Sequence, residues 1–263
     1  MSEIVAGRIA ADLERQALLA SPVCQSPSTA NLNDAQSPIA PPDIAGWDLA
    51  AADAVGGSSG GRFYDWYMRS DDSLALMLGN SLGQGTPASL TSQLIRGAAK
   101  SAALTHTTAE QLIRQVAEVA WTSTTGEQHA ALAAVVLTER ASRIDFCSAG
   151  PVGALIVRPK RPTSIAQGTA PLASDPDVLY HSAAHQVEAG DVIVLVNDSV
   201  RKAVNEQGEQ LGEAVIAECV RQRLDHPAEG IAEAVLETWR DHIGDSCSGS
   251  GDALVVIARR VAS

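Results

Sequence analysis

Aromatic side chains are scarce in this sequence, at 3% of 263 residues, so Ala, Val and Leu must fill most of any interior. Positive charge is scarce too. With 19 Lys and Arg against 31 Asp and Glu, the formal net charge is -12. That balance disfavours sequence-independent binding to nucleic acid or to an anionic membrane, both of which need clustered cations. Long apolar runs are missing as well: the longest clean one spans 130–137, far short of the ~20 residues of a membrane span. The N-terminus shows no basic region followed by an apolar segment, so no signal peptide is expected and the chain reads as cytoplasmic. Its four cysteines, Cys24, Cys147, Cys219 and Cys247, have neither metal nor redox spacing and read as idle thiols in a reducing compartment.

What is present is enough apolar residue, 45%, to bury one full domain. Residues 1–20 read as an N-terminal helix, with Val5, Ile9, Leu13 and Ala17 on one stripe. Residues 21–45 read as a Pro- and Ser-rich linker, and 46–263 as the folded domain. The apolar stripe of the first helix needs a partner, either its own domain or a second copy in a homodimer.

Within 46–263 the alternation of Leu74, Leu76 and Leu78 predicts a strand over 73–78 with one buried face, paired with the aromatic-rich run 63–68. Pro87 suits a first helical turn, which predicts helices over 87–103 and 108–121. Strands follow at 129–137, 143–148, 152–157, 178–182 and 191–196. Helices at 209–223 and 227–242 precede a closing apolar strand, 252–260. Strand runs broken by helix pairs point to α+β layers, not to an alternating parallel sheet.

Gly60-Gly61-Arg62-Phe63-Tyr64-Asp65-Trp66 resembles the Gly-Gly-Asp-Phe-Tyr-Asp signature of PPM-type protein phosphatases of the SpoIIE/RsbU class. The run from Gly79 to Ala88 is similar to that family's Gly-Asp-Val-Ser-Gly-x-Gly-x-Pro-Ala, and Cys147 to Gly150 to its Asn-Ala-Gly-His turn. The run from Gly190 to Val200 resembles Gly-Asp-x-Leu-x-Leu-Tyr-Thr-Asp-Gly-Val, and that from Gly251 to Ile257 resembles Asp-Asp-x-Thr-Leu-Leu-Val. Each match alone is no more than a tight turn between strands; five in family order form a pattern.

The resemblance implies a four-layer α-β-β-α sandwich of two mainly antiparallel sheets flanked by helices. It implies a protein serine/threonine phosphatase in bacterial signalling, with two Mg²⁺ or Mn²⁺ ions activating a water. Its metal-site positions fall on Arg62, Asn80, Ser81, Asp198 and Gly251. Of the four ligands, at 62, 80, 198 and 251, only Asp198 is still an acid, and Arg62 brings a cation to a cation site. Asp65, Asp198 and Asp252 are the acids retained nearby. The implied protein is therefore an inactive relative, a pseudophosphatase with no catalytic residue and no cofactor. Its partner would be a protein, such as a phosphorylated anti-anti-sigma-type regulator. The alternative is an active enzyme on a shifted set, Asp65, Asp198 and Asp252, with Mn or Mg held at Asp198. In the inactive reading, with no metal present, Arg62 is expected to neutralise Asp198, with Asn80 donating to the same carboxylate.

One other enzyme class has a sequence claim. Gly79-Asn80-Ser81-Leu82-Gly83 satisfies G-x-S-x-G, and Asp198 and His226 would complete a hydrolase order with Ser81 as nucleophile. Four loop residues, Gln84 to Pro87, separate that serine from its helix, which an elbow does not allow. His181 and His185 stand at i, i+4 spacing in a region of strand and turn, and no Gly-Lys-Ser/Thr follows the glycines at 56–61 to make a P-loop.

Overall fold

The computed structural model describes residues 40–55, 61–105, 107–124, 128–138, 142–244 and 251–262. The helix expected over 1–20 and most of the linker lie outside them, as do Cys24 and Cys247. The domain begins slightly earlier than residue 46: Ile44 is fully buried and bridges Trp47.

Two five-stranded sheets form the interior. The first runs β1 (Trp47–Ala54), β10 (Ala253–Arg260), β9 (Val192–Asn197), β6 (Val152–Val157) and β7 (Thr163–Ser164). The second runs β2 (Arg62–Met68), β3 (Ser73–Ser81), β4 (Ala130–Thr138), β5 (Arg143–Ala149) and β8 (Ala183–Gln186). All pairings are antiparallel. Helices α1 (Gly85–Thr105) and α2 (Ala109–Ser123) cover the second sheet; α4 (Gly212–Arg221) and α5 (Ala228–Ile243) cover the first. A single short turn, α3 (Asp198–Arg201), follows β9.

Three apolar layers account for this order, and strand parity sorts residues among them. On β3, Leu74, Leu76 and Leu78 enter the layer between the sheets, whereas Ala75 and Met77 face α1 and α2. Both faces of β3 are therefore buried; the expectation of one buried face fails because α1 roofs the sheet. On the far side β9 and β10 send Val192, Val194, Val196, Val255 and Ile257 toward α4 and α5. Few rings are needed, because small and branched aliphatics fill layers pinned by Phe146, Trp66 and Trp47.

Strand carboxylates set the entry of two helices. Asp145 of β5 accepts from the Ala109 N–H at 2.7 Å at the start of α2, whose Thr108 also caps Gln111 at 3.2 Å. Asp48 of β1 accepts from the Ala228 N–H of α5 at 2.8 Å, where Pro227 offers no side-chain cap. Each satisfies an orphan donor of a helix N-terminus. The strand expected over 178–182 is not formed. The chain there is a loop that buries Tyr180, whose hydroxyl donates to the Pro171 carbonyl, and pairing resumes only at β8.

Burial leaves an alkaline signature. It pushes the Cys147 thiol up to about 12, with Glu110 and Asp145 adding to the effect, and the Tyr180 phenol up to about 12. Unfolding lets both ionise near their ordinary values of 9.0 and 10.0. The unfolded chain thus holds fewer protons above about pH 9, and stability falls as pH rises toward the folded values. We expect melting temperature to be flat from pH 7 to 8.5 and to drop steadily to pH 11, with a shallower slope in Cys147→Val. A flat profile to pH 11 would contradict this.

Candidate functional site

The family-like loops meet at one end of the sandwich. Arg62 opens β2 and stands directly opposite Asn80 of β3 in the register. By parity both face the other sheet, on the same side as Tyr64 and Leu78. From that sheet come Asp53 near the end of β1, Asp252 just before β10, and Asp198 just after β9.

Two motif glycines make this approach feasible. A Cβ on Gly61 would fall 2.2 Å from the Ala88 carbonyl oxygen, because the start of α1 lies against the chain entering β2. A Cβ on Gly79 would fall 2.3 Å from the Phe63 ring, which lies across β3. The second half of the site is fixed by Asn197, whose side chain donates to the Asp252 carbonyl at 2.7 Å and accepts from the Leu254 N–H at 3.1 Å.

The guanidinium of Arg62 occupies the gap between the sheets. It donates through one nitrogen to Asp252 and through the other to Asp53 at 2.6 Å. The Arg62 side chain is 7% exposed and that of Asp252 only 3%, whereas Asp53 retains 39%. This is a charge-assisted staple from one sheet to the other, largely out of water.

Asp198 does not take part, contrary to expectation. It ion-pairs with Arg201 at 2.6 Å and Lys202 at 2.7 Å, three and four residues along the turn it opens, and no hydrogen bond joins it to Asn80. The reason is proximity. Cations one helical turn away need no long-range ordering, and they share a face with the residue that begins the turn.

Asp65 is not at the site either. It lies on the opposite face of β2, accepting from Arg96 of α1 at 2.8 Å and from the Tyr67 hydroxyl at 2.5 Å. A ligand set of Asp65, Asp198 and Asp252 is therefore split across a sheet. Ser81, one residue past Asn80, likewise turns toward the α1 side. Its hydroxyl is buried with no hydrogen-bond partner, and His226 is exposed and paired with Asp225, so no hydrolase triad assembles. Among the described residues no group of three or more His, Cys, Asp and Glu could hold a metal ion; His181 pairs instead with Glu110.

Gly251 shows a further departure. A Cβ placed there would lie 2.5 Å from Ser199 Oγ and 3.4 Å from its Cβ. Ser199 stands where the resembled motif has glycine, and Gly251 where it has aspartate. Side-chain bulk stands at 199 instead of 251, and a ligand's stem at 251 would require the Ser199 hydroxyl to turn away.

Two stacked antiparallel sheets flanked by helix pairs, with these loops at one end, define the architecture of the PPM, or PP2C-type, protein phosphatases. The chain belongs to the SpoIIE family: the family model for Stage II sporulation protein E matches residues 70–261. Arg62 and the rest of β2 precede the matched segment. Among solved structures, the SiaA PP2C domain of Pseudomonas aeruginosa is similar at TM-score 0.68 and 17% identity, covering 81% of this chain and 86% of that one. The RsbU and RsbW domains of Rv1364c from Mycobacterium tuberculosis are similar at TM-score 0.72 and 20% identity, covering 84% and 62%. The SpoIIE phosphatase domain with a regulatory-domain fragment from Bacillus subtilis gives 0.69 and 16%, covering 82% and 64%. At such identities these likenesses establish the fold. A search of curated protein sequences finds no match.

Metal dependence is the family's rule, and the residues of this site do not fit a metal pair. Hard divalent cations require several anionic oxygens converging on one point. Here a guanidinium takes up two of the carboxylates, a third is neutralised by its own turn, and one ligand position has no side chain.

Proposed function

We propose that this protein is a pseudophosphatase: a SpoIIE-family domain that binds a regulatory protein, in the manner of a phosphatase engaging its substrate, without hydrolysing phosphate. The observation that carries this reading is the buried Arg62–Asp252 pair. It puts a buried positive charge at the position where the resemblance would have a metal ligand, and such a charge would repel a divalent cation held there. Binding of a protein is supported by the groove of about 550 Å³ between α2 and residues 173–180, flanked by exposed Trp121 and Leu179. An RsbU–RsbW arrangement in one of the similar structures makes a signalling regulator the partner class to test first.

The test is direct. Calorimetry with Mn²⁺ should show no binding tighter than about 1 mM, and phosphoserine-peptide turnover in Mn²⁺ should equal that of buffer. Micromolar affinity, or metal-dependent turnover that Asp198→Ala abolishes, would overturn the proposal.

A further inference from the structure

Beneath the start of α1 lies a cavity that the gap between the sheets does not include. It encloses about 260 Å³ between the loop after β3, the first turn of α1 and the entry to β4. Ser81, Gln84, Gln128 and His129 line it, together with Pro87 and Ala88 of the helix. The pleat of β3 separates it from the Arg62 staple: Asn80 faces the other sheet, and Ser81, the next residue, faces this cavity. Ser81 marks the cavity as a site. The residue is 4% exposed, and its hydroxyl has no hydrogen-bond partner. Buried hydroxyls are normally paired, so an unpaired one on a cavity wall points to a ligand atom inside. The other polar groups converge on the same space. Thr91 donates to Gln128 Oε1, which leaves the Gln128 amide nitrogen as the free end of that side chain. His129 Nδ1 meets the Ala173 carbonyl at 3.1 Å; a carbonyl only accepts, so Nδ1 carries a proton and Nε2 is the nitrogen left for a ligand. The first turn of α1 adds backbone N–H groups that lack intrahelical acceptors, and it holds no acidic residue to engage them. None of the described residues lining the cavity is acidic.

We infer that this cavity binds a phosphoryl oxyanion, free or carried on a small stem, without a metal. Donors with no opposing carboxylate, gathered at the positive end of a 21-residue helix, select an anion. A phosphoryl group brings three acceptor oxygens, enough to take Ser81, Gln128 and the helix turn at once, whereas a carboxylate brings two. His129 Nε2 accepts from a monoprotonated oxyanion or, when itself protonated, donates to it. The volume is several times the roughly 30 Å³ of one water, so the methylene of a phosphoserine also fits. The inference goes beyond the pseudophosphatase reading and does not rest on it, because the cavity lies across β3 from the gap that Arg62 fills.

The experiment titrates the full chain, in EDTA, with inorganic phosphate, with O-phosphoserine and with chloride at matched ionic strength. Calorimetry should show one site for the phosphoryl ligands at a Kd of about 1 mM or tighter, and none for chloride. The amide resonances of Gly85, Thr86 and Ala88 should shift along the same titration. Ser81→Ala removes a hydroxyl that the free protein leaves unpaired, so it should keep the parent's melting temperature and weaken binding about tenfold. Gln84→Glu alters an exposed residue and sets a carboxylate at the helix start, which should weaken binding about tenfold as well; it decides the matter if Ser81→Ala does not fold. Preference for O-phosphoserine would assign the cavity to a phosphorylated side chain, and preference for phosphate to the free anion; either upholds the inference. Absence of saturable binding, or binding that a folded Ser81→Ala leaves unchanged, would overturn it. So would binding that Arg201→Ala/Lys202→Ala abolishes, because the anion would then sit on the cations beside Asp198.

Discussion

Arg62→Ala is expected to lower the unfolding free energy by about 3–5 kcal/mol, among the largest effects of any single polar substitution in this chain. The size follows from what remains after the change. Asp252, 3% exposed, would lose the guanidinium it pairs with, on the floor of a gap lined by two sheets. Asp53 adds little to the loss, because at 39% exposure it returns to water. The double variant Arg62→Ala/Asp252→Asn should recover about 1–2 kcal/mol of the deficit, since the buried carboxylate that faced the guanidinium is then replaced by a neutral amide. Asp198→Ala provides the contrast: its partners sit at i+3 and i+4 on an accessible turn, so the cost should stay under ~1 kcal/mol. Urea unfolding of the four proteins measures all of this. An Arg62→Ala loss below 1 kcal/mol would show that the staple is solvated and contributes nothing special.

The layer architecture was legible because its central strands are short, nearly unbroken apolar runs and its helices carry apolar stripes. The strand over 152–157 and the helices beginning near Pro87 and Pro227 fall where pattern and capping place them, within one or two residues. Strand β1 gave a weaker signal: its apolar residues are mostly alanines, so alternation in Trp47–Ala54 is shallow, and Asp53 was missed as a partner of Arg62. Val178 and Tyr180 alternate like a strand, but Tyr180 is a plug beneath a loop, and burial alone cannot separate the two.

At the site, the expected partner of Arg62 was Asp198, whereas the guanidinium pairs with Asp252 and Asp53. Sequence could not choose the anion. Asp198 resembled the family ligand, yet its cations were three and four residues away, a pairing that i, i+3 and i, i+4 spacing already made available. Asp65, by contrast, was excludable at once: three residues from Arg62 on a strand, it must face the other way. The exchange of bulk between Ser199 and Gly251 needed coordinates, because no local pattern links positions so far apart in the chain.

That exchange sets the condition for rebuilding a metal site, the second large effect. Arg62→Asp alone should fail and should destabilise, because it gathers carboxylates at 53, 62 and 252 with no cation among them. Adding Asn80→Asp and Gly251→Asp restores the ligand types, but the new stem at 251 meets Ser199 Oγ at 2.5 Å and displaces either the hydroxyl or the incoming carboxylate. Ser199→Gly removes that obstruction. Arg62→Asp/Asn80→Asp/Ser199→Gly/Gly251→Asp is therefore expected to bind Mn²⁺ at about 10 μM, and the same set without Ser199→Gly at least tenfold more weakly. A site of that affinity stabilises the fold by about 2.7 kcal/mol at 1 mM Mn²⁺, a rise of several degrees in melting temperature that the parent should not show. The metal-free quadruple variant should be the least stable of the series, since its acids repel until a cation arrives. If it melts at the same temperature with and without Mn²⁺, the four replacements do not explain the lost site. If Ser199→Gly makes no difference to the metal response, the steric argument at Gly251 fails while the electrostatic argument at Arg62 stands.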